Sequence, residues 1–264
     1  MLEINNIYKT FNPGTVNEKV ALNGVSLKLN DGDFVTVIGG NGAGKSTLLN
    51  AVAGTWKVDE GSILIDGIDV TKMQDYKRAK FLGRVFQDPM MGTVPTMGID
   101  ENLALAARRG KFRGLARKIT AKERAGFKEI VKILDLGLED RLTSKVGLLS
   151  GGQRQAVTLL MASLKKPKLL LLDEHTAALD PKTAAKVLDA TETIVDRDHL
   201  TTLMITHNMK DEIAHGNRLS MMKDGKIILD ISGEEKKNLT VEELLEKFNS
   251  VGGEDAVNDR MILG

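Results

Sequence analysis

Apolar and polar positions alternate along residues 2–7 and 20–29, the period of strands with one covered face. Two such strands predict a small antiparallel sheet. A second set of strands reads differently. Phe34–Ile38 and residues 169–172 are continuous apolar runs, as in parallel strands covered on both faces. Residues 84–86, a short run, and 201–206 are further strand candidates. All four end where polar chemistry begins: a glycine loop after Ile38, Gln87 after Phe86, Asp173 and Glu174 after Leu172, and His207 after Thr206. Open α/β sheets collect ligands at the carboxyl ends of their strands, so this convergence predicts one site.

Between about residues 88 and 166 the pattern turns helical. Asp100 and Glu101 open one helix and Arg108 and Arg109 close it before Gly110, charges that suit the helix dipole. Thr120 and Glu123 have capping-box spacing, followed by Phe127, Ile130, Val131 and Leu134 on one face. The expectation is an α/β core, a small antiparallel β subdomain and an inserted α-helical subdomain. Thr240 and Glu243 cap a last helix, with Leu239 and Leu244 as its hydrophobic staple. Residues 1–235 read as one domain, and 236–264 as a terminal helix with a loose tail after Ser250.

Composition narrows the function classes. The 264 residues are 42% hydrophobic, enough for a large core, and the net charge of +1 implies no general attraction to nucleic acid. With no cysteine, disulfides and thiolate metal sites are excluded. The N-terminus lacks a signal-peptide pattern, and no apolar run reaches the ~20 residues that span a bilayer. A membrane role would therefore need separate membrane-spanning chains. Residues 108–118 hold six basic residues and no acidic one. They read as a solvated loop, or as a contact for lipid headgroups or a partner's acidic loop.

Three constellations carry chemistry. Gly39-Gly40-Asn41-Gly42-Ala43-Gly44-Lys45-Ser46-Thr47 is a phosphate-binding loop between a strand and a helix. Its glycines let backbone N–H groups turn toward phosphate, Lys45 neutralises the β and γ phosphates, and Ser46 offers a hydroxyl to Mg²⁺. Asp173 and Glu174 are adjacent carboxylates that divide naturally into metal holder and general base. Ser150 and Gln153 have capping-box spacing, and Gly151 and Gly152 leave N–H donors bare at a helix start. That is a second anion site. Within one chain it is redundant, because the first loop already cradles a triphosphate.

The Leu149-Ser150-Gly151-Gly152-Gln153 string, downstream of that loop and followed by Leu172-Asp173-Glu174, resembles the ATP-binding subunits of ABC transporters. The resemblance runs from Phe11 to about Gly233. It implies a P-loop NTPase core that hydrolyses ATP with Mg²⁺. Lys45, Glu174 and His207 would be catalytic, His207 as the switch histidine. Ser46, Asp173 and Gln87 would serve the metal. Phe11 would stack on adenine, with Tyr8 as its rival. Ser150, Gly151, Gly152 and Gln153 would cap the ATP held by another subunit, in a head-to-tail dimer with a second copy or a paralogue. Ala178-Leu179-Asp180 resembles the loop linking the two sites, and the stretch after Gln87, through Thr93 and Thr96, would lie near a docking surface. The partners implied are transmembrane permease subunits and a solute-binding protein, with the chain at the cytoplasmic face of the membrane and no role for nucleic acid. Import of a small solute such as an amino acid is the leading expectation. The alternatives are an exporter subunit and a soluble ABC ATPase, although the long insertions or paired cassettes of the latter are missing. His175 departs from the family, which most often has proline there.

Overall fold

The computed structural model describes residues 1–110, 119–206, 208 and 213–252. Its centre is a six-stranded sheet. In chain order its strands are β3 (Phe34–Ile38), β6 (Leu82–Val85), β7 (Leu169–Asp173), β8 (Thr202–Ile205), β9 (Arg218–Lys223) and β10 (Lys226–Ser232). The spatial order is β10-β9-β3-β8-β7-β6, and only β10 runs antiparallel to its neighbour. The central strands are apolar at nearly every position because both faces are covered. Leu170 and Leu172 join one core cluster and Leu169 and Leu171 the other.

The small antiparallel sheet is present, with four strands: β1 (Leu2–Phe11), β2 (Lys19–Leu29), β4 (Glu60–Ile65) and β5 (Ile68–Asp69), in the order β2-β1-β4-β5. It shares the cluster of Leu169 and Leu171 with α1 (Lys45–Ala53). β1 runs four residues beyond the alternating stretch, to Phe11. The register shifts after Ile4 and Asn6 is left-handed (φ 49°), and such irregularities break the period of two.

The other sheet face carries the helices: α3 (Ile99–Ala107), α4 (Ala121–Lys132), α5 (Gly151–Ser163) and α6 (Pro181–Asp198). The capping boxes at Thr120 and Ser150 both form. Arg78, in the short α2 (Asp75–Arg78), is 1% exposed and donates to the Ala51 and Val52 carbonyls at 2.7 and 2.9 Å. It thereby closes the C-terminal end of α1 and fixes the helix that begins at the glycine loop. After β10 come α7 (Gly233–Lys237) and α8 (Val241–Gly252). Glu243 accepts from the Thr240 backbone, and Leu239 and Leu244 are buried together. The tail beyond 252 lies outside the described residues.

Another strand also differs from expectation. β6 covers Leu82–Val85 rather than 84–86. Leu82 pairs with Leu169, and Gly83 lies so close to α5 that a Cβ there would come 2.5 Å from the Ala162 carbonyl oxygen. Phe86 leaves the sheet, and its carbonyl accepts from Gln155 Nε2 at 2.7 Å. Among the described residues no helix is long and apolar enough to cross a membrane.

Candidate functional site

The glycine loop leaves the carboxyl end of β3 and is wedged between β2 and the β9–β10 turn. A Cβ at Gly39 would lie 2.2 Å from the Met222 carbonyl oxygen, and one at Gly44 2.4 Å from that of Ala21. Side chains there are excluded by backbone, not by adjustable neighbours. Gly225 donates to the Ala43 carbonyl at 3.0 Å and accepts from the Asn23 amide at 2.8 Å, bracing the loop from the hairpin side. Gly44, at φ 103°, caps α1 without a side-chain hydrogen bond, so no side chain competes for the N–H donors at this helix start. Lys45 is 6% exposed and folds back into the loop, donating to the Gly39 and Gly40 carbonyls at 2.6 and 3.2 Å. The adjoining cavity, about 200 Å³, is lined by this loop with Phe11, Lys19 and Glu174.

Asp173 ends β7 half-buried, its Oδ2 accepting from Arg84 at 3.2 Å. Burial pushes its carboxyl up from the ordinary value, Arg84 opposes the rise, and Glu174 adds to it. A carboxylate kept from water and only partly balanced, on the same sheet edge as the Ser46 hydroxyl, is an oxygen donor that suits a hard divalent cation. Glu174 is left-handed (φ 43°), with its N–H donating to the Ile205 carbonyl at 2.9 Å. For a non-glycine residue this conformation costs about 1–3 kcal/mol. It turns the chain sharply between the two acids. Glu174 lines the glycine-loop cavity and also a second cavity of about 340 Å³ with Leu179, Asp189, Thr206 and Asn208. His207 lies outside the described residues. Gln87 follows β6 and does not line the glycine-loop cavity.

Ser150 Oγ accepts from the Gln153 N–H at 3.3 Å, and Gln153 Oε1 accepts from the Ser150 N–H at 3.2 Å. Gly151 is exposed, Ser150 is exposed in this cap, and Leu148 before them is 74% exposed. None of Ser150, Gly151, Gly152 and Gln153 lines the glycine-loop cavity. The two glycines differ from the expectation that both are bare. Gly152 is buried, and a Cβ there would fall 1.8 Å from Thr183 Cγ2 of α6, so its glycine serves helix packing. At Gly151 a Cβ would meet nothing closer than 3.6 Å.

Phe11 lines the loop cavity and stands edge-on to Trp56, 4.9 Å between ring centres, whereas Tyr8 lies outside the lining with its hydroxyl beside Asn6. Lys19 and Trp56 carry no motif that announces them. Lys19 pairs in register with Phe11, so the full length of β1 is the signal that would find it. His175 is 2% exposed, its Nε2 3.1 Å from Thr191 Oγ1. That hydroxyl already donates to Val187, so His175 Nε2–H is the donor. Burial, helped by His215, lowers the His175 pKa to about 4. The imidazole is a neutral strut between the end of β7 and α6. The largest cavity described, about 710 Å³, lies near Asp33, Asn217 and Lys236 and includes none of these groups.

Known proteins resemble this chain over most of its length. A family model described as ABC transporter matches residues 22–177. The tyrosine transport ATP-binding protein of Clostridioides difficile is 46% identical over 94% of this chain and 98% of its own length. The ABC transporter ATP-binding protein YxdL of Bacillus subtilis is 32% identical over 96% of this chain and 95% of its own. Among solved structures, a dimeric ATP-binding cassette in a post-hydrolysis state with ADP and phosphate superposes with a TM-score of 0.74. It is 30% identical, covering 88% of this chain and 98% of that one. The chain belongs to the ATP-binding subunits of ABC transporters, and it is an ATPase with the P-loop NTPase fold.

Proposed function

We propose that this ABC transporter subunit works as a head-to-tail dimer that closes on two ATP molecules at the cytoplasmic face of a membrane and drives uptake of an amino acid through separate permease chains. The observation that carries the dimer is the start of α5. It is capped, exposed and directed at no cavity that its own glycine loop lines. A second copy supplies the missing phosphate. The dimeric cassette with ADP and phosphate supports this arrangement.

In this reading Phe11 stacks on the base, the loop from Gly39 to Thr47 holds the phosphates, and Lys45 leaves its carbonyl acceptors for the β and γ oxygens. Ser46 and Asp173, with Gln87 closing in, would hold Mg²⁺, which when bound offsets phosphate charge. Glu174 accepts the proton of the attacking water, and His207 orients the γ-phosphate. The tyrosine transport protein at 46% identity supports the choice of an amino-acid substrate. A solute-binding protein outside the membrane completes an importer.

Two measurements test this reading. Glu174→Gln should lower ATP turnover by about 10²–10⁴-fold while retaining ATP, because the amide keeps the shape and loses the base. Then the chain, assembled in vesicles with its transmembrane permease chains, should accumulate labelled tyrosine only with ATP and intact Glu174. ATP-driven efflux, or indifference to amino acids, would overturn the import assignment.

A further inference from the structure

The first turns of α5 hold a charged group that the reading above does not use. Arg154 is 2% exposed. Its Nε donates to Thr93 Oγ1 at 2.7 Å, and its two terminal nitrogens reach the Met90 sulfur at 2.9 Å and the Met90 carbonyl at 3.1 Å. All three acceptors belong to the loop of residues 88–96, and among the described residues no carboxylate pairs with it. A buried guanidinium that spends its donors on one loop is unusual, since neutral acceptors offset its desolvation poorly. The same loop touches α5 elsewhere. A Cβ at Gly92 would sit 2.9 Å from Thr158 Cγ2, and Pro89 comes within 3.8 Å of one placed on Gly151. On its outer side the loop presents Met90 and Met91, 61% and 49% exposed.

We infer that Arg154 is a positioning residue that couples the phosphate-reading start of α5 to the 88–96 loop. A helix moves as a rigid unit over one turn. When Ser150 and Gly151 are drawn onto the partner's nucleotide, Arg154 is carried with them and sets the loop through Thr93 and Met90. Linkage is reciprocal, so whatever holds the loop also biases closure on ATP. This rests on the head-to-tail reading of Ser150.

The test is amide hydrogen exchange on the full chain in the Glu174→Gln background, with and without ATP, and with light scattering to follow the dimer. ATP should slow exchange across 88–96 by about 5-fold or more in the parent. With Arg154→Gln added, that ATP-dependent slowing should vanish while the start of α5 remains protected. Thr93→Val, which removes an acceptor from the loop side and leaves α5 intact, should reduce it in the same direction. If Arg154→Gln raises loop exchange equally with and without ATP and leaves the difference unchanged, Arg154 is only a brace and the inference fails. It fails too if the parent dimerises without slowing the loop. Absence of an ATP dimer in the parent would instead remove the head-to-tail reading, and the inference with it.

Discussion

Two helices begin at anion-binding ends, and they begin differently. At α1, Gly44 caps without a side chain, the loop before it is sealed by β2 and the β9–β10 turn, and buried Lys45 supplies the charge. At α5, Ser150 and Gln153 satisfy each other's backbone N–H, and the end is exposed. The first end is a finished phosphate site within one chain. The second has an anion-binding geometry already half capped, which lowers its intrinsic affinity and makes it dependent on a phosphate held firmly elsewhere. On the proposed head-to-tail reading, the difference teaches that one end would acquire nucleotide and the other would sense it.

That contrast sets the order of expected effects. Lys45→Ala should weaken ATP binding to the single chain by about 10–100-fold, since it removes charge-assisted hydrogen bonds. Ser150→Ala should leave that binding unchanged and weaken only ATP-driven dimerisation. Isothermal titration beside light scattering separates the two, and equal loss of ATP binding in both variants would erase the distinction.

A third position, buried His175, links the end of β7 to Thr191 of α6. Burial lowers the His175 pKa from 6.5 to about 4 in the folded chain, so the unfolded chain takes up protons first as pH falls. The neutral strut therefore contributes fully above pH 6.5, and about 3 kcal/mol of stability is lost as pH drops toward 4. His175→Gln keeps an N–H for Thr191 and cannot be protonated there, so melting curves should show a shallower acid limb.

The glycines sharpen the same comparison. Gly152→Ala forces a methyl into Thr183 and should cost about 1–3 kcal/mol in denaturant unfolding. Gly151→Ala makes only ordinary van der Waals contacts, with Leu179 at 3.6 Å and Pro89 at 3.8 Å, and should leave stability equal or slightly higher, while hindering closure on the partner's nucleotide. At the base, Phe11→Ala should lower ATP affinity by about 1–3 kcal/mol. Tyr8→Ala should not change it, and the reverse ranking would move the base to the other aromatic.

Much of this is legible in the sequence, and for identifiable reasons. The capping boxes at Thr120, Ser150 and Thr240 are local chemistry, and each forms as spaced. Residues 169–172 announce a strand covered on both faces because no polar residue interrupts them. The β9–β10 hairpin is absent from the sequence expectation, although Asp224 and Gly225 adopt the paired left-handed turn that such dipeptides favour (φ 47° and 73°). The split between Gly151 and Gly152 is not legible, because it depends on Thr183, about thirty residues away and brought in by α6. The bracing of the glycine loop by Met222 and Gly225 is likewise tertiary. A sequence names the loop but not the distant backbone that makes side chains impossible there.

The central claim is that Ser150 reads a phosphate held by another copy. The chain has no cysteine, so single cysteines can be placed cleanly. In the Glu174→Gln background, a tagged chain with exposed Asn41→Cys in the glycine loop is mixed with an untagged chain carrying Leu148→Cys, just before Ser150. A short bifunctional maleimide is then added. The account predicts a crosslink joining the tagged to the untagged chain, formed with ATP and not without it. An ATP-dependent dimer by light scattering in which Asn41→Cys never crosslinks to Leu148→Cys of the other chain would contradict it.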